Sequence, residues 1–153
     1  MASFHQGLFK PKNPQKYVGD PKNIQYRSSW ELKFMRRCDD DPNVLSWASE
    51  EIFVPYKDRG TRTADGEPKL RRYFPDFLIK VKTKEGKIET WMVEIKPLAE
   101  TMPPVKGNKK EKRYLKEVKT FATNYSKWES AKRFCDKNNM KFKILTEKEL
   151  GVF

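Results

Sequence analysis

The chain has 153 residues, with 33 Lys and Arg against 21 Asp and Glu, giving a formal net charge of +12. Its 10 Phe, 6 Tyr and 4 Trp exclude a disordered basic tail, and a chain of this length buries about two-thirds of its unfolded surface as one domain. The longest uncharged apolar runs, such as Ile52 to Val54 and Trp91 to Val93, are too short to span a bilayer, and Met1 to Lys10 has no signal-peptide core, so a soluble, unexported protein with no membrane partner is expected.

Residues 1–25 carry Pro11, Pro14, Pro21 and four lysines, and read as an irregular arm, extended or loosely packed, ahead of a single domain over 26–153. From Ser28 to Cys38, Trp30, Phe34 and Cys38 recur at helical spacing, and the run Asp39 to Pro42 ends that first helix. Residues 51–56 suit a short strand, and Lys57 to Arg72, with two glycines, a proline and a charge of +3, read as a long basic hairpin loop. Residues 73–81 and 89–96 are expected to be adjacent antiparallel strands, turning near Gly86. A second basic loop spans Glu100 to Lys110. Leu115, Val118, Phe121 and Tyr125, then Trp128, Ala131 and Cys135, predict two helices with a break near Ser126, and 141–145 is an alternating strand before a polar tail. The order is helix, three strands, helices, strand, which predicts an α/β fold whose mixed sheet is flanked by helices.

A large positive charge calls for an anionic partner, nucleic acid first. Cys38 and Cys135 lie far apart without ligand spacing and read as buried free thiols. His5 is the single histidine and sits in the arm, which leaves any catalysis to carboxylates and lysines.

The sharpest pattern is Pro75-Asp76 on one strand and, 18 residues after the aspartate, Glu94-Ile95-Lys96 on the next. Residues i and i+2 of a strand share a face about 6.5 Å apart, so Glu94 and Lys96 point into one groove while Ile95, with Val93 and Trp91, points into the core. With the turn near Gly86, Asp76 comes within reach of Glu94, and two carboxylates can share a hard cation such as Mg²⁺ that keeps waters free for a phosphate to displace. A lysine beside it can orient the attacking water or offset developing charge. Glu94 and Lys96 taken alone are also an ordinary strand pair.

This pattern on an αβββαβ order resembles the PD-(D/E)XK, restriction-endonuclease-like superfamily. Tyr26-Arg27-Ser28, Trp30-Glu31, Arg71-Arg72-Tyr73-Phe74, Glu94 to Pro97, Thr101 with Pro103 to Lys106, and Phe142 to Thr146 resemble more closely the head-completion nucleases of large myophages; the endonuclease subunit of a heteromeric bacterial transposase is similar more loosely. The resemblance implies one nuclease domain over 26–153 with catalytic residues Glu31, Asp76, Glu94 and Lys96. It implies Asp76, Glu94 and the Ile95 carbonyl as metal ligands, and Mg²⁺ as cofactor with Mn²⁺ able to substitute. Ser28-x-x-Glu31 is also a capping box, and the two roles are compatible. Arg62, Lys69, Arg71 and Arg72 in one basic loop, with Lys106, Lys109, Lys110 and Arg113 around the other, are expected to grip double-stranded DNA through its phosphates, with little base specificity. The resemblance further implies phage head or portal components as partners, in the host cytoplasm or the virion head. A structural DNA- or portal-binding factor, and a recombination or repair nuclease, are the competing readings.

Overall fold

The computed structural model describes residues 6–151, and His5 lies outside them. Helix α1 (Ser29–Asp40) forms where the apolar spacing predicts it. Ser28 caps it, its Oγ accepting from the Glu31 amide at 3.1 Å, and Trp30, Phe34, Met35 and Cys38 are buried along one side. Strands β3 (Val44–Ser49), β6 (Phe77–Lys82), β7 (Ile88–Ile95) and β8 (Lys141–Leu145) make a sheet in the order β3-β6-β7-β8; the first three run antiparallel, and β8 lies parallel to β7. A parallel neighbour needs a long crossover, supplied by helix α2 (Glu111–Lys137). Between β3 and β6 the chain leaves the sheet as a two-stranded ribbon, β4 (Val54–Arg62) with β5 (Pro68–Tyr73). Without the ribbon the order is αβββαβ.

Two apolar clusters sandwich the sheet. Phe34 and Met35 of α1 pack with Trp47, Phe77, Ile79 and Val93 on one face. On the other, Trp128, Ala131 and Cys135 of α2 pack with Met92 and with Val54, Tyr56 and Tyr73 of the ribbon. Trp30, Trp47 and Trp128 are buried in the core, Trp91 is half-buried against the first cluster, and both cysteines are buried and free, as expected. No helix of the described residues is long and apolar enough to cross a membrane.

Several elements differ from expectation. Strand β3 lies where no strand was predicted, because a register shift between Val44 and Ser46 breaks its alternation. The strand expected at 51–56 starts later, at Val54, and most of the basic loop 57–72 is ribbon. Its inward positions are Val54, Tyr56 and Asp58, and an acid at the third hides the period-2 pattern. The strand expected at 73–81 is two pieces, with Tyr73 ending β5 and Phe77 opening β6, because Pro75 interrupts the ladder. Helix α2 has no break: Ser126 is buried, its Oγ donating to Ala122 O at 2.8 Å and accepting from the Arg59 amide, which binds the ribbon to the helix.

The arm is not loosely packed. Strands β1 (Gly7–Phe9) and β2 (Ile24–Tyr26) pair, and Phe9, Tyr17 and Ile24 enter the first cluster. Asp39, buried at the end of α1, accepts from the Lys12 and Asn13 amides, while the Lys16 ammonium donates to the Asp39 and Asp41 carbonyls. The polar tail contains a short helix, α3 (Glu147–Leu150), closed by a Thr146/Glu149 capping box and anchored by Leu150. Gly60 sits where the ribbon crosses α2: a Cβ there would lie 2.6 Å from the Lys119 carbonyl.

Candidate active site

The register of β6 and β7 builds the site. Phe77 pairs with Val93, so one step further along the ladder Asp76 comes opposite Glu94, and the Ile95 amide donates to Asp76 Oδ2 at 2.8 Å. The turn is at Gly86, whose positive φ suits glycine. Ile95 and Val93 face the α1 side and Glu94 the α2 side, as the alternation predicts. Glu94 is not open to solvent, however: it is 8% exposed, and the Tyr73 hydroxyl donates to its Oε1. Asp76, Glu94 and Lys96 share a cavity of about 300 Å³ with Arg72, Tyr73, Phe74, Asn124, Lys127 and Trp128.

Two acids held this close and out of water cannot both ionise easily. Burial, then the facing Glu94, raise Asp76 well above the usual carboxylate range, against the Ile95 amide and Lys96. Burial also raises Glu94, opposed by the Tyr73 hydrogen bond, by Lys96 and Lys127, and by a hydrogen bond with Asp76. Glu31, near the start of α1, is pushed up to about 7, first by burial and then by Asp76. The fold thus brings Asp76, on the approach to β6, together with Glu94 and Lys96 at the end of β7 in one cavity, whereas Glu31 on α1 does not line it and is tied to the group by the charge of Asp76.

Glu31 also has part of the capping geometry: its own amide donates to Ser28 Oγ, while its carboxylate accepts from the Arg27 amide and from the Ser28 hydroxyl, both at 3.5 Å. Among the described residues no three acidic, thiol or imidazole side chains form a ready-made metal cage. The donor set nevertheless suits a hard cation, since an all-oxygen carboxylate pair, Glu94 buried and Asp76 half-buried, is relieved by positive charge between its oxygens.

Four further residues were not anticipated. Tyr73 hydrogen-bonds Glu94, and Lys127 and Asn124 wall the cavity from α2. Glu50 adds negative charge toward both Asp76 and Glu31, its amide donates to the Asp76 carbonyl at 3.3 Å, and its carboxylate pairs with Arg27. Tyr73 lies in the Arg71-Arg72-Tyr73-Phe74 block that the sequence singled out; the others come from distant segments with no local signature.

The expected DNA-gripping cations fall in two places. On the ribbon, Lys69 and Arg72 are exposed, Arg62 donates to the Gly66 carbonyl, and Arg71 is tied to Asp58 at 3.1 Å. At the start of α2, Lys110 is exposed, Lys106 caps the Lys109 carbonyl, and Lys109 and Arg113 both pair with Glu117.

An αβββαβ core with a mixed sheet, acids and a lysine at one strand end, and basic flanks is a nuclease of the restriction-endonuclease-like class. Residues 41–147 match the family model described as TnsA-like endonuclease N terminal, and the chain belongs to that family. That span holds Asp76, Glu94 and Lys96 and stops short of Glu31. The chain is also 39% identical over 147 residues to the "Head completion nuclease" of Enterobacteria phage T4, covering 94% of this chain and 91% of that protein.

Proposed function

We propose that this protein is a Mg²⁺-dependent DNA endonuclease, with exonuclease action at ends, that cuts or trims packaged DNA as a phage head is completed before tail joining. The observation that carries the chemistry is the Asp76–Glu94 pair, Glu94 buried and Asp76 half-buried, facing Lys96 in one basic-walled cavity. The head-completion setting draws on the similarity to the T4 protein. Phage head or portal components are its partners, and the host cytoplasm or the virion head its location.

Asp76 and Glu94, with the Ile95 carbonyl, would hold Mg²⁺, or Mn²⁺ in its place. When bound, the cation lowers the pKa of a coordinated water and polarises the phosphoryl oxygen. Lys96 orients the nucleophilic water or offsets charge on the phosphoryl oxygens. Tyr73 favours the ionised form of Glu94 and holds it in place, Lys127 adds positive charge on the far wall, and Glu31 would serve the metal directly or through water. The ribbon and the start of α2 carry the DNA backbone between them. Lys110 and Lys112 sit at the positive end of the α2 dipole with Lys109 and Arg113, which pair with Glu117, beside them; phosphates would offset the remaining positive charge there.

The test is cleavage of supercoiled and linear duplex DNA with Mg²⁺, with EDTA, and by Asp76→Ala. Nicking or linearisation that requires both metal and Asp76 supports the reading. Binding without cleavage in Mg²⁺ and in Mn²⁺ overturns it in favour of a structural head-completion factor.

A further inference from the structure

The Arg71-Arg72-Tyr73-Phe74 block is only half used by the nuclease site. Arg71 turns to Asp58 and Tyr73 to Glu94, whereas Arg72 and Phe74 remain exposed at the mouth of the same cavity. The ladder explains the division. Val54 pairs with Tyr73 and both point inward, so one step beyond, Phe53 and Phe74 fall opposite each other and point outward. Their ring centroids are 5.8 Å apart, and the Arg72 guanidinium lies 4.9 Å above the Phe53 ring.

Single exposed apolar side chains need no explanation, but this is a pair, 45% and 47% exposed, joined by a stacked cation and continuous with a phosphate-cutting site. Its placement is set by the backbone on both sides. Pro75, next after Phe74, is buried, Asp76 follows it, and the Glu50 amide, donating to the Asp76 backbone carbonyl, ties the segment leading to Phe53 to the backbone of that same residue. Flat rings and a guanidinium plane, side by side beside a phosphate site, match the faces of nucleobases. In an intact duplex those faces are covered by neighbouring base pairs, so the surface can take a base only where the stack is open.

From this juxtaposition we infer that Phe53, Phe74 and Arg72 form a stacking platform for an unpaired base next to the scissile phosphate. DNA ends and junctions with unpaired nucleotides are then the preferred substrates over uninterrupted duplex. The inference rests on the nuclease reading above and names the substrate class of that site.

The test is binding by the full-length protein in EDTA to a blunt duplex and to the same duplex with a short single-stranded overhang carrying 2-aminopurine. Stacking quenches the fluorescent base, and the overhang should bind about 5- to 150-fold more tightly, the range for one base on an aromatic side chain. The Phe53→Ala/Phe74→Ala variant should lose the quench and the overhang preference. Phe74→Tyr, which keeps the ring, should retain both, and Phe74→Leu, which keeps apolar bulk without a ring, should behave like alanine. Equal binding to the two DNAs, or a leucine variant matching wild type, overturns the platform. The nuclease reading is scored separately: cleavage of both DNAs at one rate with no quench leaves it standing and sinks the platform, while quenching without Mg²⁺-dependent cleavage of either DNA does the reverse.

Discussion

Asp58 and the Asp76–Glu94 pair are acids enclosed by the same ribbon and the same helix, and they end in opposite electrostatic states. Asp58 is 2% exposed, yet its Oδ1 accepts from Thr123 Oγ1 at 2.7 Å and from the Gly60 amide at 2.9 Å, and Arg71 pairs with its Oδ2. Burial pushes it up, but these donors outweigh burial and hold it below the usual range. Asp76 and Glu94 face each other and stay raised. Burial alone therefore does not mark a functional acid; the balance of donors around it does. One site is complete and fastens the ribbon to α2. The other is left short of positive charge, the condition in which a cation or a phosphate-bound metal gains most.

The largest effects should separate the two. Asp76→Asn keeps an acceptor for the Ile95 amide and removes the charge, so cleavage should fall about 10²- to 10³-fold or more. In EDTA its melting temperature should rise by about 2–4 °C for each kcal/mol of repulsion relieved. Adding Mg²⁺ should then stabilise wild type and leave the variant unmoved; equal stabilisation of both would place the cation elsewhere. Asp58→Ala should act in reverse. It strands Thr123 and the Gly60 amide at a cost of about 2–3 kcal/mol, a fall of about 4–12 °C by calorimetry. Below that melting point cleavage should remain within about tenfold of wild type, since one lost charged hydrogen bond sets that scale. A Arg71 side chain that is 41% exposed adds little to the loss.

How much of this contrast the sequence reveals follows from the range of the interactions. Asp76, Glu94 and Lys96 are legible because strand alternation and one hairpin register place them, and α1, β7 and β8 because their apolar spacing is regular. Glu31 is singled out by the resemblance and by the capping-box spacing from Ser28, not by the apolar period of the helix. The ribbon is hidden because Asp58 occupies an inward position, and an acid there makes sense only with Thr123 and Arg71 in view. The continuity of α2 at Ser126 depends likewise on the Arg59 amide arriving from the ribbon. Tyr73, Lys127 and Glu50 reach the site by tertiary contact, which no local pattern encodes. The arm reads as loose because its lysines and prolines dominate, although Phe9, Tyr17 and Ile24 suffice to dock it.

A smaller effect probes the hydrogen bond that joins ribbon to site. Tyr73→Phe keeps the ring in the core and removes the donor to Glu94. That bond favours the ionised carboxylate, so its loss should raise Glu94 further and move the acid limb of the cleavage profile to higher pH. At fixed neutral pH, cleavage should drop about tenfold, the scale of one hydrogen bond to a charged group, and more Mg²⁺ should be needed to reach half-maximal rate. An unshifted profile would remove Tyr73 from the function of Glu94.

The smallest effect should appear in the pH dependence of stability without metal, where the two kinds of acid pull in opposite directions. Asp58 is depressed from 3.8 on folding, so the stability it gives is present above that value and is lost as pH falls through its folded value. Glu31 is raised from 4.5 to about 7, so the folded state holds its proton more tightly, and stability declines as pH rises between those two values. Urea midpoints in EDTA should therefore peak on the mildly acidic side of neutrality. Asp58→Asn should flatten the acidic limb, and Glu31→Gln the limb toward neutral pH. Mg²⁺ should offset the second limb and leave the first unchanged, because positive charge stabilises the crowded carboxylates at the strand end, whereas Asp58 already has its donors.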